Sequence, residues 1–202
     1  RIVDLQSELL VTQAALREQA THDSLTKVYN RSSIFEVLDR ELIRAEREGL
    51  PVGLALLDID YFKSVNDTYG HITGDAVLRE AARRIKTAIR SYDSLGRYGG
   101  EEFLIILPGR DAPCTPSQSD RIRRNLAIEP MPIHESSHSD ISLALTASFG
   151  STTALPGHRI SAETLLRIAD ESLYEAKRAG RNRVVFRSIL GETEPLLTAS
   201  AS

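Results

Sequence analysis

One cysteine, Cys114, is all the chain carries in 202 residues. That excludes an intrachain disulfide framework and any zinc site built from several cysteines. No apolar run approaches the roughly 20 residues of a membrane span, and no signal-peptide pattern is seen. Positive charge is not in surplus either. The 25 Lys and Arg stand against 28 Asp and Glu, a formal net charge of −3, which argues against a general nucleic-acid binder. No internal repeat is evident. What is present, 41% hydrophobic and 26% charged residues, suits one domain of ordinary size with room for a flanking element. A domain of about 150–170 residues buries roughly 70% of its unfolded surface, so it folds without a disulfide. The composition predicts a soluble, cytoplasmic α/β domain. The start at Arg1 rather than Met predicts a piece of a longer chain.

The first 20 or so residues read as helix. Ile2, Leu5, Leu9, Thr12, Leu16 and Gln19 follow alternating spacings of three and four, a short heptad seam. Either this is an amphipathic helix packed on its own domain, or it is the end of a coiled coil arriving from upstream. Thr21-His22-Asp23 breaks it. A second helix is predicted from Arg31 to Glu48, stopped by Gly49-Leu50-Pro51. The run VGLALLDI, residues 52–59, reads as a buried strand. Residues 74–90 read as helix. Residues 94–97 and 103–107 read as short strands of a hairpin around a Gly-rich turn. Residues 108–120, with three prolines, look like loop, followed by a short helix near 120–127 and a polar connection at 129–139. A strand is expected over 141–150. A helix is expected over 161–179, with Ser161 as N-cap and Gly180 just past its end, and a last strand over 183–186. The tail from about Ser188 is expected to be disordered. The order predicts one α/β domain, a central mixed sheet surrounded by helices, preceded by a coiled-coil-type helix.

Asp58-Ile59-Asp60 ends the buried strand, and the carboxyl end of a central strand is where ligands bind in open α/β sheets. Hard cations such as Mg²⁺ take one or two carboxylates plus substrate phosphates. An Asp at a strand end is also a common turn former, so this feature alone leaves both readings open. The hairpin adds weight. Gly99-Gly100 lets backbone approach a ligand closely, and Glu101 and Glu102 place two mutually repelling carboxylates at the tip. A cation would relieve that repulsion. If the sheet brings the turn beside Asp58, a multi-carboxylate metal site for phosphoryl transfer results.

Arg97-Tyr98-Gly99-Gly100-Glu101-Glu102-Phe103 resembles the signature of GGDEF domains, the diguanylate cyclases, in its GGEEF form. The remainder agrees in register. Asp23-Ser24-Leu25-Thr26-Lys27-Val28-Tyr29-Asn30-Arg31 resembles the family's D-x-L-T-x-L-x-N-R entry motif, with Val28 for the usual Leu and Lys27 for the usual Gly. Asp58-Ile59-Asp60-Tyr61-Phe62-Lys63 with Asn66-Asp67 and Gly70-His71 resembles its metal and nucleotide segment, and Gly74-Asp75 the next one. Ala169-Asp170, Tyr174, Ala176-Lys177 and Gly180-Arg181-Asn182 resemble its C-terminal helix. The match covers about residues 21–187, leaving 1–20 as a signalling helix and 188–202 as a tail. Residues 110–140 match no part of the pattern.

The resemblance implies condensation of two GTP into cyclic di-GMP with release of two pyrophosphates, across a homodimer of half-sites. Carried onto this chain, Asp58, the Ile59 carbonyl and Glu101 would bind Mg²⁺ or Mn²⁺, two ions per active site. Glu101 or Glu102 would assist deprotonation of the attacking hydroxyl. Asn66 and Asp75 would read guanine, since a carboxylate accepts from N1–H and the 2-amino group together and adenine offers no such pair. His71 is open between a nucleotide contact and a turn residue. Lys177 and Arg181, at a helix end where positive charge is favourable in any case, would contact phosphate with Lys63. Phe62 would pack against the nucleotide or in the core.

Arg90-Ser91-Tyr92-Asp93 stands at the family's separation from the turn for an inhibitory product site. The resemblance implies that Arg90 would fork to guanine or phosphate there, and that Asp93 would accept from guanine. Arg121, Arg123 or Arg124 would supply a second arginine from the following helix, and Arg121 is the choice. The resemblance also implies an upstream sensor domain, no nucleic-acid partner and no membrane contact by this segment. The competing reading is a catalytically silent GGDEF domain that acts as a receptor for GTP or cyclic di-GMP. Such modules usually lose the turn carboxylates, which this sequence keeps.

Overall fold

The computed structural model describes residue 8 and residues 12–13, 16–134 and 140–190. After a leading helical stretch, four helices and seven strands follow one another among the described residues: α1 (Arg31–Glu48), β1 (Val52–Ile59), α2 (Phe62–Ala88), β2 (Ser94–Arg97), β3 (Glu102–Pro108), α3 (Cys114–Leu126), β4 (Met131–His134), β5 (Asp140–Leu143), β6 (Ala147–Ala154), α4 (Ala162–Arg178) and β7 (Val184–Phe186). Five strands form one sheet in the order β2-β3-β1-β6-β7. All its pairings are antiparallel except β6 with β7, so the sheet is mixed, as expected. β4 and β5 form a separate antiparallel hairpin. Among the described residues no helix is long and apolar enough to cross a membrane.

β1 lies at the centre of the sheet, and all eight of its residues are buried. That explains why its sequence is apolar throughout rather than alternating. Ala55, Leu57 and Ile59 point to one face, where they pack with Val77, Ala81 and Ile85 of α2 and Ile122 and Leu126 of α3. Val52, Leu54 and Leu56 point to the other, packing with Ile34 and Leu38 of α1 and Leu165, Ala169 and Leu173 of α4. The sheet is therefore the middle of three layers. The helices begin where their caps say: Asn30 Oδ1 accepts from Ser33 N at 3.0 Å and Ser161 Oγ from Thr164 N at 3.2 Å. Gly49 ends α1 in the left-handed conformation, with φ at 66°.

Four expectations need correction. Residues 108–120 are not all loop, because α3 begins at Cys114. Pro116 sits in its first turn, where the amide hydrogen that proline lacks has no intrahelical acceptor anyway, and Asp111 Oδ1 accepts from Cys114 N at 3.0 Å. The polar connection 129–139 contains β4, and the single strand expected over 141–150 is two, β5 and β6, separated by residues 144–146. Helix α2 begins twelve residues before residue 74, at Phe62. It breaks once, at Gly70 (φ 80°, ψ 165°), and the short first segment shows only Phe62, Val65 and Tyr69 to the core. The N-terminal seam positions Ile2, Leu5 and Leu9 and the tail from residue 191 lie outside the described residues.

Residues 16–21 are helical, and Leu16 is 59% exposed. This seam position is thus not covered by the domain that follows it. The helix end is tied down by Asn30, whose Nδ2 donates to Ala20 O at 2.8 Å and whose N donates to Thr21 O at 2.9 Å. Tyr29 then bonds β2 on both sides, its N to Leu95 O and its O from Arg97 N. Lys27, at the position where the entry motif usually carries Gly, has a φ of 56°. The left-handed backbone there explains the family's glycine.

Candidate active site

The β1–β3 register sets Asp58 directly opposite Glu102, at the carboxyl end of β1 and the start of β3. Like charges opposite each other on neighbouring strands repel. The turn that presents them is braced from within. Tyr98 N and Gly99 N both donate to Glu102 O, at 2.8 and 3.3 Å, and Ile59 N donates to Glu101 O at 3.3 Å. Arg97 donates through Nε and Nη2 to Gly100 O and through Nη1 to Asp23. Burial alone pushes the Asp23 carboxyl up, but hydrogen bonds from Thr26 and the Arg97 guanidinium together hold it below its ordinary value. Asp23 and Arg97 thereby join the entry turn to the Gly99–Glu102 turn, a pairing that no local spacing in the sequence announces.

Burial raises the Asp58 carboxyl, and the charges of Glu101 and Asp60 raise it further against the pull of Lys177. Burial likewise raises Glu102, with Asp58, Asp170 and Glu101 adding to it and Lys177 offsetting part. Lys177, from the last turn of α4, has its Nζ 2.7 Å from Asp58 Oδ2. Asp60, by contrast, is saturated. Ser148 Oγ donates to its Oδ1 at 2.7 Å, and Thr146 Oγ1 and Asn182 N donate to its Oδ2 at 2.9 and 3.0 Å. Asp60 therefore anchors the loop after α4, while Asp58 stands opposite Glu102 in the register, and the charge of Glu101 acts on both.

Among the described residues no three His, Cys, Asp or Glu side chains are gathered into a cage that would hold a metal alone. The fit to a hard divalent ion is the open kind, in which a carboxylate pair and a carbonyl supply part of the shell and phosphate oxygens complete it. Burial is the main cause that raises Asp58 and Glu102, and the repulsion that neighbouring carboxylates add to it is what such an ion would relieve.

A second group of residues lies along the first segment of α2. Phe62 is buried in the core, and Lys63 is exposed. Asn66 lies against Gly74 so closely that a Cβ there would stand 2.0 Å from Asn66 Oδ1 and 3.2 Å from Phe62 Cζ. The glycine thus fixes the seat of Asn66, and Asp75 follows it on the exposed side. His71 is exposed just after the Gly70 break. Arg181, with φ at 60°, lays its guanidinium over the Tyr61 ring, 4.8 Å from the centroid, and Tyr61 also has a positive φ of 57°.

Arg90, Asp93 and Arg121 gather at the other end of the β2–β3 hairpin, about 13 Å of strand away from the turn. Asp93 Oδ2 accepts from Arg90 N at 2.8 Å, and Arg121 Nη2 donates to Ala88 O at 2.7 Å. Burial raises the Asp93 carboxyl against the bond from Arg90 and the charges of Arg110, Arg90 and Arg121. Its Oδ1 is buried without a partner among the described residues, and so is Arg110 Nε. Arg110 and Asp170 are the charged neighbours that the sequence reading passed over. Asp170 stood inside a matched motif, and Arg110 had no signal.

A family model described as "Diguanylate cyclase, GGDEF domain" matches residues 20–183. The chain belongs to this family. Diguanylate cyclase DosC of Escherichia coli strain K12 is 37% identical to this GGDEF domain over 184 residues, 91% of this chain and 38% of DosC. Response regulator PleD of Caulobacter vibrioides is 41% identical over 168 residues, 83% of this chain and 36% of PleD. The chain thus spans well under half the length of these curated relatives. A crystal structure of the coiled coil and GGDEF domain of DgcB from Caulobacter crescentus, in complex with c-di-GMP, superposes with a TM-score of 0.80 at 35% identity. It covers 92% of this chain and 97% of that one. That likeness supports the mixed-sheet fold of this GGDEF domain.

The electrostatics of the GGDEF turn carry a prediction. A carboxyl whose folded-state pKa is raised contributes stability that is complete below its ordinary value and is lost as pH rises through the raised one. Glu102 is such a group. In metal-free protein Glu102→Gln is therefore expected to raise Tm at pH 7.5, with the gain vanishing near pH 4. The gain is small, because a partly exposed carboxylate is screened by solvent. Thermal denaturation of both proteins at the two pH values, in EDTA, checks the sign.

Proposed function

We propose that this GGDEF domain condenses two GTP into cyclic di-GMP and two pyrophosphates, each copy of the chain holding one nucleotide. The observation that carries the reading is Asp58 opposite Glu102 at the strand end, within the charge of Glu101, with Lys177 on Asp58. In the reaction the 3′-hydroxyl oxygen of one GTP bonds to the α-phosphorus of the other. The bond from that phosphorus to the bridging oxygen breaks, and pyrophosphate leaves. Glu101 or Glu102 takes the hydroxyl proton, a role for which Glu102's raised basicity suits it. Asn66 and Asp75 hold guanine, and Lys177, Arg181 and Lys63 hold phosphate. Asp58, the Ile59 carbonyl and Glu101 would hold Mg²⁺ or Mn²⁺, which neutralises the triphosphate and acidifies the attacking hydroxyl. One chain offers one guanine seat, so the two reacting nucleotides need two copies. An upstream sensor acting through the leading helix would set how often they meet.

The test is incubation with GTP and Mg²⁺ over a range of protein concentrations, beside an ATP control, with nucleotides resolved by chromatography. Cyclic di-GMP formed from GTP alone, with a rate per chain that climbs with concentration, supports cyclase and dimer together. Binding of GTP or cyclic di-GMP without turnover at any concentration overturns it in favour of a receptor.

Arg90, Asp93 and Arg121 are proposed to bind the product as an inhibitor. The unpartnered Asp93 Oδ1, ringed by arginines, has the acceptor that guanine's N1–H and 2-amino group require. Arg90→Ala is expected to raise the cyclic di-GMP concentration that halves the rate by about tenfold or more, and to leave uninhibited synthesis intact. Inhibition curves at fixed GTP read this directly, and an unchanged half-inhibition point speaks against the site.

A further inference from the structure

The side chain of Asp58 is only 12% exposed, yet it stands with Glu101, Asp60 and Glu102 as its charged surroundings. A carboxylate so placed needs a cation, because burying an unpaired charge is strongly unfavourable. The cation it has is Lys177, at 2.7 Å. Lys177 also draws on Glu102, so one ammonium compensates the acidic group as a whole. Its side chain is 33% exposed and extends from the last turn of α4, free to swing toward solvent.

We propose that Lys177 is the resident counter-cation of Asp58 in the nucleotide-free protein, and that it makes the binding of metal ion and nucleotide mutually dependent. This rests on the cyclase reading of the site. A divalent ion and an ammonium cannot both sit on the same carboxylate oxygen without repelling each other at close range. A metal ion arriving alone must therefore displace Lys177 from Asp58 and cost it that ion pair. A triphosphate gives Lys177 a better anion to hold, and Asp58 is then open to the metal. Each ligand removes the obstacle to the other, and such coupling is reciprocal. Lys177 thus has a second role besides holding phosphate: it disfavours a metal-loaded but empty site.

The experiment measures Mn²⁺ binding to the purified protein by the loss of the free-ion EPR signal. It is done first without nucleotide and then with a GTP analogue carrying a methylene between the α and β phosphates, with the analogue's own Mn²⁺ complex as blank. Without nucleotide, Lys177→Met is expected to bind Mn²⁺ about tenfold more tightly than wild type, the order of one charge-assisted hydrogen bond. Lys177→Arg, which keeps the positive charge, is expected to stay near wild type. The analogue should tighten Mn²⁺ binding in wild type by a larger factor than in Lys177→Met. Asp58→Asn should remove the Mn²⁺ bound in either state, and thermal unfolding shows that each variant is folded. Equal Mn²⁺ affinity in Lys177→Met and wild type, with the dependence on Asp58 intact, overturns this inference and leaves the cyclase reading standing. Mn²⁺ binding indifferent to Asp58→Asn overturns both.

Discussion

Glu101→Ala is expected to abolish cyclic di-GMP synthesis while leaving the fold in place. Among the described residues the Glu101 side chain makes no hydrogen bond or ion pair, and its backbone carbonyl, which accepts from Ile59 N, survives the substitution. Its surroundings are instead the charges of Asp58 and Glu102, both raised by its presence. Removing it relieves repulsion, so Tm of the metal-free protein should hold or rise slightly. Activity should fall at least about 1,000-fold, because one of the few protein oxygens available to the metal is gone, and an electrostatic contribution of about 4 kcal/mol corresponds to that factor. Rates from chromatography and unfolding curves of the same preparation separate the two effects. Substantial residual synthesis would remove Glu101 from the metal site.

The largest expected loss of stability lies away from the carboxylates, at Gly150. A Cβ there would stand 2.0 Å from Ala169 O, 2.2 Å from Leu173 N and 2.8 Å from Leu173 Cα. All three are backbone atoms of α4, so no rotamer change relieves the clash. The sheet cannot retreat either, since Gly150 pairs with Leu56 on one side and Val185 on the other. Gly150→Ala must push α4 off the sheet, at a cost of about 3 kcal/mol or more. In a domain of this size that lowers Tm by roughly 6–12 °C. Because α4 carries Lys177, synthesis should fall as well. Gly100→Ala is the matched control: nothing lies within 4 Å of its Cβ position, and its Tm should stay within a degree or so of wild type.

The contrast between these positions shows what the sequence displays and what it does not. Strand β1 was legible because burial on both faces leaves an unbroken apolar run. Helices α1 and α4 were legible because Gly49-Leu50-Pro51 stops the first and Ser161 and Gly180 bracket the second. The carboxylates of the site were legible for a chemical reason: consecutive glutamates after two glycines have no gain in stability to explain them. The start of α3 was hidden by prolines whose harmlessness depends on which turn of the helix they occupy. Residues 131–134 were hidden because the alternation of Met131 and Ile133 lasts only four residues and is flanked and interrupted by Pro130 and Pro132. Long-range pairings were hidden most completely. Neither the bond of Asp23 to Arg97, 74 residues away, nor the ammonium of Lys177 on Asp58 can be read from spacing. The sequence reading assigned Lys177 to phosphate, and the structure adds a carboxylate partner it did not foresee.

The junction between the leading helix and the domain is made by few groups. Asn30 holds the helix end, Tyr29 bonds β2, and Asp23 meets Arg97 beside the turn. Both core clusters close without a side chain from residues 16–21. The consequence is interchangeability. A different helix ending in the same residues 20–30 would dock through the same bonds and leave the packing of the sheet untouched. Its attachment would still fall on β2, the strand that leads into Gly99 and Gly100. Chimeras joined ahead of residue 20 should therefore keep the unfolding transition of the domain while differing in how they are controlled.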